Sequence, residues 1–251
     1  MLGATRREFL LERLRRDRRI VAKDIASELD LSEDSIRRDL RELAAEGLLA
    51  RVYGGAVPVS PAVADYSART GIATESKQRV AAAAAALVRA GSTVILDGGT
   101  TALSLVKQLP RSLALTIVTH SPTIAAALID HEAEVVLIGG RLFKHSAVAV
   151  GAVAAEAAGR ITADQFFLGV TGIHPEAGLT TGDAEEAAMK RILASRATET
   201  WVLGSEEKVG AVSPHLVLAA ADVTGLVLDA PADDATVAEL RVGGVRIVSA
   251  G

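Results

Sequence analysis

Two hydrophobic rhythms divide the 251-residue chain. In residues 1–57 apolar side chains recur at helical spacing in three short bursts: Phe9, Leu10 and Leu14, then Val21, Ile25 and Leu29, then Ile36, Leu40 and Leu43. Each burst predicts a short helix. Ser32 is placed to cap the third, Glu33 and Asp34 favour the positive end of its dipole, and Gly47 can close it in a left-handed conformation. Residues 48–53 then form an extended run that turns at Gly54-Gly55. From Glu75 onward the rhythm changes to short, continuously apolar runs separated by helical patterns. Strands are predicted at 93–97, 115–119, 135–138, 165–170, 200–203, 225–228 and 245–248, and helices at 77–90, 101–108, 122–130, 183–197 and 235–241. Strands apolar throughout imply a mostly parallel, doubly wound α/β sheet covered on both faces. Between the two rhythms, residues 58–74 open on Pro58-Val59-Ser60-Pro61 and show no sustained periodicity, so they are expected to be a linker holding one short helical piece. The predicted division is 1–57, 58–74 and 75–251.

Charge changes this picture locally. Residues 1–57 carry 12 Lys and Arg against 11 Asp and Glu, and the remainder carries 15 against 20. The chain as a whole is acidic, so it would not coat nucleic acid indiscriminately. At about 100° per residue, however, Arg38 and Arg41 fall opposite the Ile36/Leu40/Leu43 stripe and Arg37 falls on its flank. Three guanidinium groups thus point away from the domain's own core. An arginine-rich helix face is also what a solvated surface shows; three helices followed by a ribbon, the order of a winged helix-turn-helix, favour DNA. Arg13, Arg15, Arg16, Arg18 and Arg19 crowd the end of the first helix, interleaved with Asp17, and fit either phosphate contacts or a solvated face.

The run SIRRDLRELAAEGLLARVYGGA resembles the N-terminal signature of the DeoR family of bacterial transcriptional regulators, with Ser35 where the family usually has Thr. The resemblance implies that the helix bearing Arg-Arg-Asp-Leu enters the major groove. Ser32, Ser35, Arg37 and Arg38 would then lie near bases or phosphates, with Arg41 on the same outward face and Arg51 and Tyr53 reaching the backbone from the wing. Asp39 is expected to pair locally with an arginine.

The predicted strand ends carry the second candidate site. Asp97-Gly98-Gly99-Thr100-Thr101 sets two glycines and two hydroxyls at a helix N-terminus, where free N–H groups suit an anion. It matches neither the Walker nor the dinucleotide fingerprint, so no nucleotide cofactor is expected. Thr119-His120-Ser121, Gly139-Gly140-Arg141, Gly169-Val170-Thr171-Gly172 and Gly204-Ser205 through Lys208 close other strands, and together they predict one wall of a polar pocket. These segments also resemble the DeoR sensor domain, which is similar in fold to ribose-5-phosphate isomerase. That resemblance implies a repressor of carbohydrate metabolism genes released by a phosphorylated sugar or related metabolite. Gly98, Gly99, Thr100 and Thr101 would hold the phosphate, Asp97, Thr119, Ser121 and Thr171 would bond hydroxyls, and Lys208 would neutralise the anion. His120, Gly140, Arg141 and Gly172 complete the predicted wall. Glu186 matches a family carboxylate, and Lys190 at i+4 fits an ordinary helix salt bridge as well. Arg69 and Lys77 match basic positions ahead of the family's sensor and fit ligand, interdomain or surface roles. The chain departs from the family at His120, which replaces the usual Asn, and at Ser205-Glu206-Glu207.

An isomerase-like enzyme fused to a DNA-binding head is the alternative. It needs a carboxylate base; the strand ending at Gly169-Val170-Thr171-Gly172-Ile173 supplies none, which leaves Asp183, Glu185 and Glu186. No Gly-x-Ser-x-Gly elbow appears, and histidines 120, 131, 145, 174 and 215 lack metal-ligand spacing. Trp201, inside a predicted strand, is expected in the core. There is no cysteine, no apolar run long enough for a membrane span and no apparent secretory signal, so a cytoplasmic protein is expected, with no metal or cofactor. Paired half-sites on DNA would call for a homodimer or higher homo-oligomer.

Overall fold

The structure, a computed structural model, describes residues 3–17 and 19–251. Arg18, grouped above with the basic residues closing the first helix, lies outside them. The head comprises α1 (Gly3–Asp17), β1 (Ile20–Val21), α2 (Ala22–Leu29), α3 (Glu33–Ala45), β2 (Ala50–Val52) and β3 (Gly55–Val57). Leu10, Leu14, Ile25, Ile36, Leu40, Leu43 and Leu49 pack into one small core, as the periodicity requires. The third helix starts and stops where its caps predict. Ser32 Oγ accepts the Ser35 N–H at 3.3 Å. Gly47, at φ 73°, lets its own N–H and that of Leu48 reach the carbonyls of Ala44 and Leu43.

Two details of the head differ from the expectation. Val21 does not open the second helix but lies in β1, which pairs with β3 and turns the ribbon into a three-stranded sheet of order β1-β3-β2. A two-residue strand has no periodicity to read. It is also why Gly55 is glycine, because a Cβ there would lie 1.7 Å from the Ile20 carbonyl oxygen. The wing strand begins at Ala50, since residues 47–49 are spent finishing α3, and the tight turn falls at Tyr53-Gly54 with Gly54 at φ 76°.

Residues 58–74 hold a short 3-10 turn, Pro61–Val63, and α4 (Tyr66–Arg69). The remainder contains α5 (Thr74–Ala85), β4 (Thr93–Leu96), α6 (Thr100–Gln108), β5 (Thr116–Thr119), α7 (Pro122–Ala127) and β6 (Glu134–Leu137). Next come β7 (Arg141–Phe143), β8 (Val148–Val150), α8 (Ala152–Gly159), β9 (Ala163–Gly169), β10 (Gly172–His174) and β11 (Gly178–Thr181). Last are α9 (Ala184–Ser195), β12 (Ala197–Gly204), β13 (His215–Leu218), β14 (Gly225–Leu228), α10 (Ala235–Val242) and β15 (Ile247–Ser249).

Seven of these strands form one parallel sheet of order β15-β14-β12-β9-β4-β5-β6. Alternate strand residues face opposite layers. Val94, Leu96, Phe167, Trp201, Leu203 and Val227 meet α5, α6 and α7. Ile95, Phe166, Leu168, Val202, Leu226 and Leu228 meet α8, α9 and α10. With so few aromatic residues, alanine-rich helices lie close on the sheet and branched aliphatics fill it. The chain winds outward through β5 and β6, then returns to place β9 on the other side of β4. That reversal opens a crevice between the carboxyl ends of β4 and β9.

The sequence reading did not anticipate the β7-β8 hairpin, α8, or the antiparallel sheet β10-β11-β13. Their strands are three or four residues long and several are built from small polar residues, so the period-2 signal is too short to stand out. The helix predicted at 77–90 also ends early: the Leu87 and Val88 N–H groups reach back only three residues, to Ala84 and Ala85.

Candidate functional site

The head presents its basic residues outward. Arg37, Arg38 and Arg41 on α3 and Arg51 on the wing are all exposed, and Tyr53 at the wing tip is 94% exposed. Ser32 and Ser35 hold each other at 2.9 Å between hydroxyls at the start of α3. Arg37 is restrained by Glu33, 2.6 Å away one helical turn back, whereas Arg38 makes no hydrogen bond or ion pair among the described residues. Asp39 points the other way. It is buried and paired with Arg6 of α1 through both carboxylate oxygens, so it fastens α3 to the first helix across 33 residues rather than pairing locally.

The second site lies in the crevice between β4 and β9. A narrow cleft is lined by Gly98, Gly99, Thr100, Thr101, Thr171, Glu186 and Lys208 of the predicted residues. Gly99 caps α6 at φ 109° without a side-chain hydrogen bond, leaving the first N–H groups of that helix directed at the cleft. Thr101 Oγ1 accepts from Lys208 Nζ at 3.0 Å. Lys208 is buried and has no carboxylate within ion-pair distance among the described residues; burial pushes its ammonium down to about 8. Lys77 is also drawn below the ordinary lysine value by burial, and its Nζ is spent on the carbonyls of Arg69 and Ile72 at 2.8 and 2.5 Å.

Asp97 is placed differently from the expectation. It is wholly buried beneath the cleft, where Oδ1 accepts from the Gly98 N–H and His120 Nε2, each at 2.8 Å. Its Oδ2 accepts from the Gly169 N–H at 2.8 Å and Lys190 Nζ at 2.5 Å. Burial opposes ionisation, but Lys190 and His120 outweigh it and hold the carboxyl far below the usual carboxylate range. Lys190 is likewise opposed by burial and raised by Asp97 and Glu186. Four donors therefore make Asp97 the post on which both strand-end loops are hung, rather than a group free to bond a ligand hydroxyl. Glu186 faces the cleft and is also tied: Ser146 and Thr181 donate to Oε2 at 3.1 and 3.2 Å, and Lys190 lies 3.3 Å from Oε1. The pair Glu186/Lys190 is thus a buried network, not an exposed helix pair.

Several predicted wall residues do not reach the cleft. Thr119, His120 and Ser121 are completely buried, with Thr119 Oγ1 accepting the Ser121 N–H, His120 Nδ1 2.9 Å from the Ala149 carbonyl and Ser121 Oγ donating to the Ala147 carbonyl. They anchor the β7-β8 hairpin because the end of β5 turns beneath it. Gly140 packs on Ala154, exposed Arg141 pairs with Glu185, and Gly172 sits in β10 with the Ala211 carbonyl where a side chain would go. Thr171 lines the cleft, with Oγ1 2.7 Å from Ser213 Oγ. Arg69, Lys77, Lys190, Ser146, Thr181 and Glu207 join the lining from distant positions. Arg69 and Lys77 were signalled in the sequence by their match to basic positions ahead of the family's sensor, Lys190 by its spacing from Glu186 and Glu207 by its place in the segment that departs from the family, whereas Ser146 and Thr181 were not singled out. Among the described residues no group of three or more His, Asp or Glu is arranged to hold a metal.

A winged helix-turn-helix with an open arginine face, joined to an α/β domain whose switch-point cleft gathers desolvated cations, defines a ligand-responsive DNA-binding regulator. The chain belongs to the DeoR family: residues 6–62 match the DeoR-like helix-turn-helix domain and residues 72–230 the DeoR C-terminal sensor domain. It is a DNA-binding transcriptional regulator. It is 30% identical over 250 residues to the HTH-type transcriptional regulator GlpR of Haloferax volcanii, covering 99% of this chain and 98% of that one. It is 32% identical over 207 residues to the HTH-type transcriptional repressor GlcR of Bacillus subtilis, covering 81% and 80%. Among solved structures it is similar to ribose 5-phosphate isomerase A of Methanocaldococcus jannaschii, with TM-score 0.41, 20% identity and 54% of each chain covered.

Proposed function

We propose that this regulator represses carbohydrate-metabolism genes and releases its operator when a phosphorylated sugar or related small anion enters the cleft. The observation that carries this reading is the charge arrangement: Lys208 and Arg69 line the cleft with no carboxylate in ion-pair range among the described residues, beside the uncapped N-terminus of α6. Lys208 donates to the Thr101 hydroxyl and the Leu203 carbonyl, but burying a cation without a counter-charge is costly, and a bound phosphate would relieve that cost. Gly98, Gly99, Thr100 and Thr101 would take the phosphate and Lys208 would neutralise it. Thr171 and Glu186 remain the cleft groups able to meet hydroxyls. On the head, Ser32, Ser35, Arg37, Arg38 and Arg41 would face the major groove, with Arg51 and Tyr53 on the backbone. Residues 1–57 act as head, 58–74 as linker and 75–251 as sensor. The working form is a homodimer or larger, acting in the cytoplasm; no helix among the described residues is long and apolar enough to cross a membrane.

One observation favours the isomerase-like alternative: Glu207 lines the cleft and its buried Oε2 has no partner among the described residues, as a general base would require. Two measurements separate the readings. A thermal-shift screen of phosphorylated sugars and polyols should find a compound that raises Tm by a few degrees and dissociates the operator complex, with Thr100→Ala abolishing both effects. Turnover of that compound, lost in Glu207→Gln, would instead establish an enzyme.

A further inference from the structure

The linker between head and sensor forms part of the cleft wall. Ala62, from the Pro61–Val63 turn, and Arg69, the last residue of α4, both line it. The guanidinium of Arg69 reaches over the Gly98-Gly99 loop, so that a Cβ built on Gly99 would lie 3.8 Å from its Nη1. Its Nε is buried and has no hydrogen-bond partner, its Nη2 has only a long contact of 3.4 Å to the His145 carbonyl, and no carboxylate lies within ion-pair distance among the described residues. An arginine fork held in this way has bidentate capacity to spare, at the place where the free N–H groups of α6 also converge.

The backbone that carries this side chain is itself latched to the sensor. The Tyr66 N–H donates to the His145 carbonyl at 2.8 Å, His145 Nε2 lies 2.8 Å from the Val63 carbonyl, and Lys77 grips the carbonyls of Arg69 and Ile72. Upstream, Val59 bridges to Val212, and two residues earlier Val57 is already part of the wing strand β3. Eleven residues, 58–68, therefore separate the end of the wing from a cation facing the cleft.

We infer that Arg69 is an anion-binding arm delivered by the interdomain linker, and that it couples occupancy of the cleft to the position of the DNA-binding head. This rests on the reading of the cleft as an anion site and adds the residue through which that site is felt elsewhere. Sensor residues such as Lys208 hold an anion without moving the linker. Arg69 cannot bind it without fixing α4, so the free energy of ligand binding is partly converted into linker order.

The test uses the full chain and inorganic phosphate as probe, with binding followed by calorimetry and amide hydrogen exchange followed in peptides spanning residues 58–72. Phosphate should bind the unmodified protein and slow exchange in that segment. Arg69→Gln should weaken binding about tenfold or more, as loss of a charge-assisted pair does, and should abolish the protection even at saturating phosphate. Arg69→Lys, which keeps the charge and guards against misfolding of the Gln variant, should bind at intermediate strength with reduced protection. Lys208→Met should weaken binding yet retain full protection at saturation. Arg69→Gln that binds phosphate normally and still protects 58–72 would overturn the arm while leaving the cleft intact. Absence of phosphate binding in the unmodified protein would overturn the anion site and the arm with it.

Discussion

The α3 arginines and the cleft cations carry the same charge in opposite surroundings. Arg38 stands in solvent with no hydrogen-bond or ion-pair partner among the described residues, whereas Lys208 is buried, has no carboxylate among them within ion-pair distance and is lowered to about 8. Exposed guanidinium groups suit a long polyanion whose own counterions are released on contact, an interaction that salt weakens steeply. Enclosed cations are little screened and are already destabilised by burial, so they discriminate for a small anion that can enter and replace the lost hydration. A cation left wet suits a long polyanion such as DNA; one dried and aimed in advance suits a small anion.

The largest expected effect tests the support beneath the buried group. Asp97→Asn leaves Lys190 and His120 without their shared partner, and denaturant unfolding should register a loss of about 3–5 kcal/mol; a change below about 1 kcal/mol would remove Asp97 as the post of the cleft. Next, Arg38→Ala should reduce operator affinity by about 1–3 kcal/mol at fixed salt, the worth of one bidentate base contact. Its unfolding midpoint should stay put, because that side chain is exposed and pairs with no other among the described residues. Unchanged operator selectivity would argue that α3 is merely a solvated face.

A third prediction concerns pH. Phosphate affinity should fall as pH rises through about 8, where Lys208 gives up its proton. Stability of the empty protein should move the other way. The folded-state value lies below the ordinary 10.5, so the unfolded chain binds the extra proton between the two values. The Lys208 penalty is therefore complete below about 8 and fades as pH climbs toward 10.5. Lys208→Met should flatten both profiles, as read by calorimetry and by urea titration across that window. The smallest effect is expected at Arg37→Ala. Glu33 already holds that guanidinium in an exposed pair of the kind worth about 0–1 kcal/mol, so the operator loss should be clearly less than for Arg38→Ala.

Much of the head could be read directly from residue order. Helical spacing put Ile36, Leu40 and Leu43 inside and the arginines outside, and local chemistry at Ser32 and Gly47 marked where α3 begins and ends. The first loop of the cleft was legible for a similar reason: two glycines and two hydroxyls after an apolar run describe a strand end feeding a helix. His120 and Arg141 were not, because both follow strands and only the path of the chain beyond decides which way they turn. His120 went under the β7-β8 hairpin and Arg141 out to solvent. Lys190 was legible in part, since its i+4 salt bridge to Glu186 is present at 3.3 Å. Its neighbour Glu186 is four residues away and visible in sequence, while Asp97, its closer partner at 2.5 Å, is 93 residues away.

What the sequence by itself determined are the features set by neighbours along the chain: the helix periods, the caps, the glycine turns and the succession of elements that gives a winged head followed by a doubly wound sheet. Tertiary structure alone decided which charges are wet and which are dry. Return of the chain to lay β9 beside β4 made the crevice, and docking of α9 and of the linker brought Lys190 and Arg69 to it. A cation's solvation depends on what lies within a few ångströms in space, and that distance bears no fixed relation to separation along the chain.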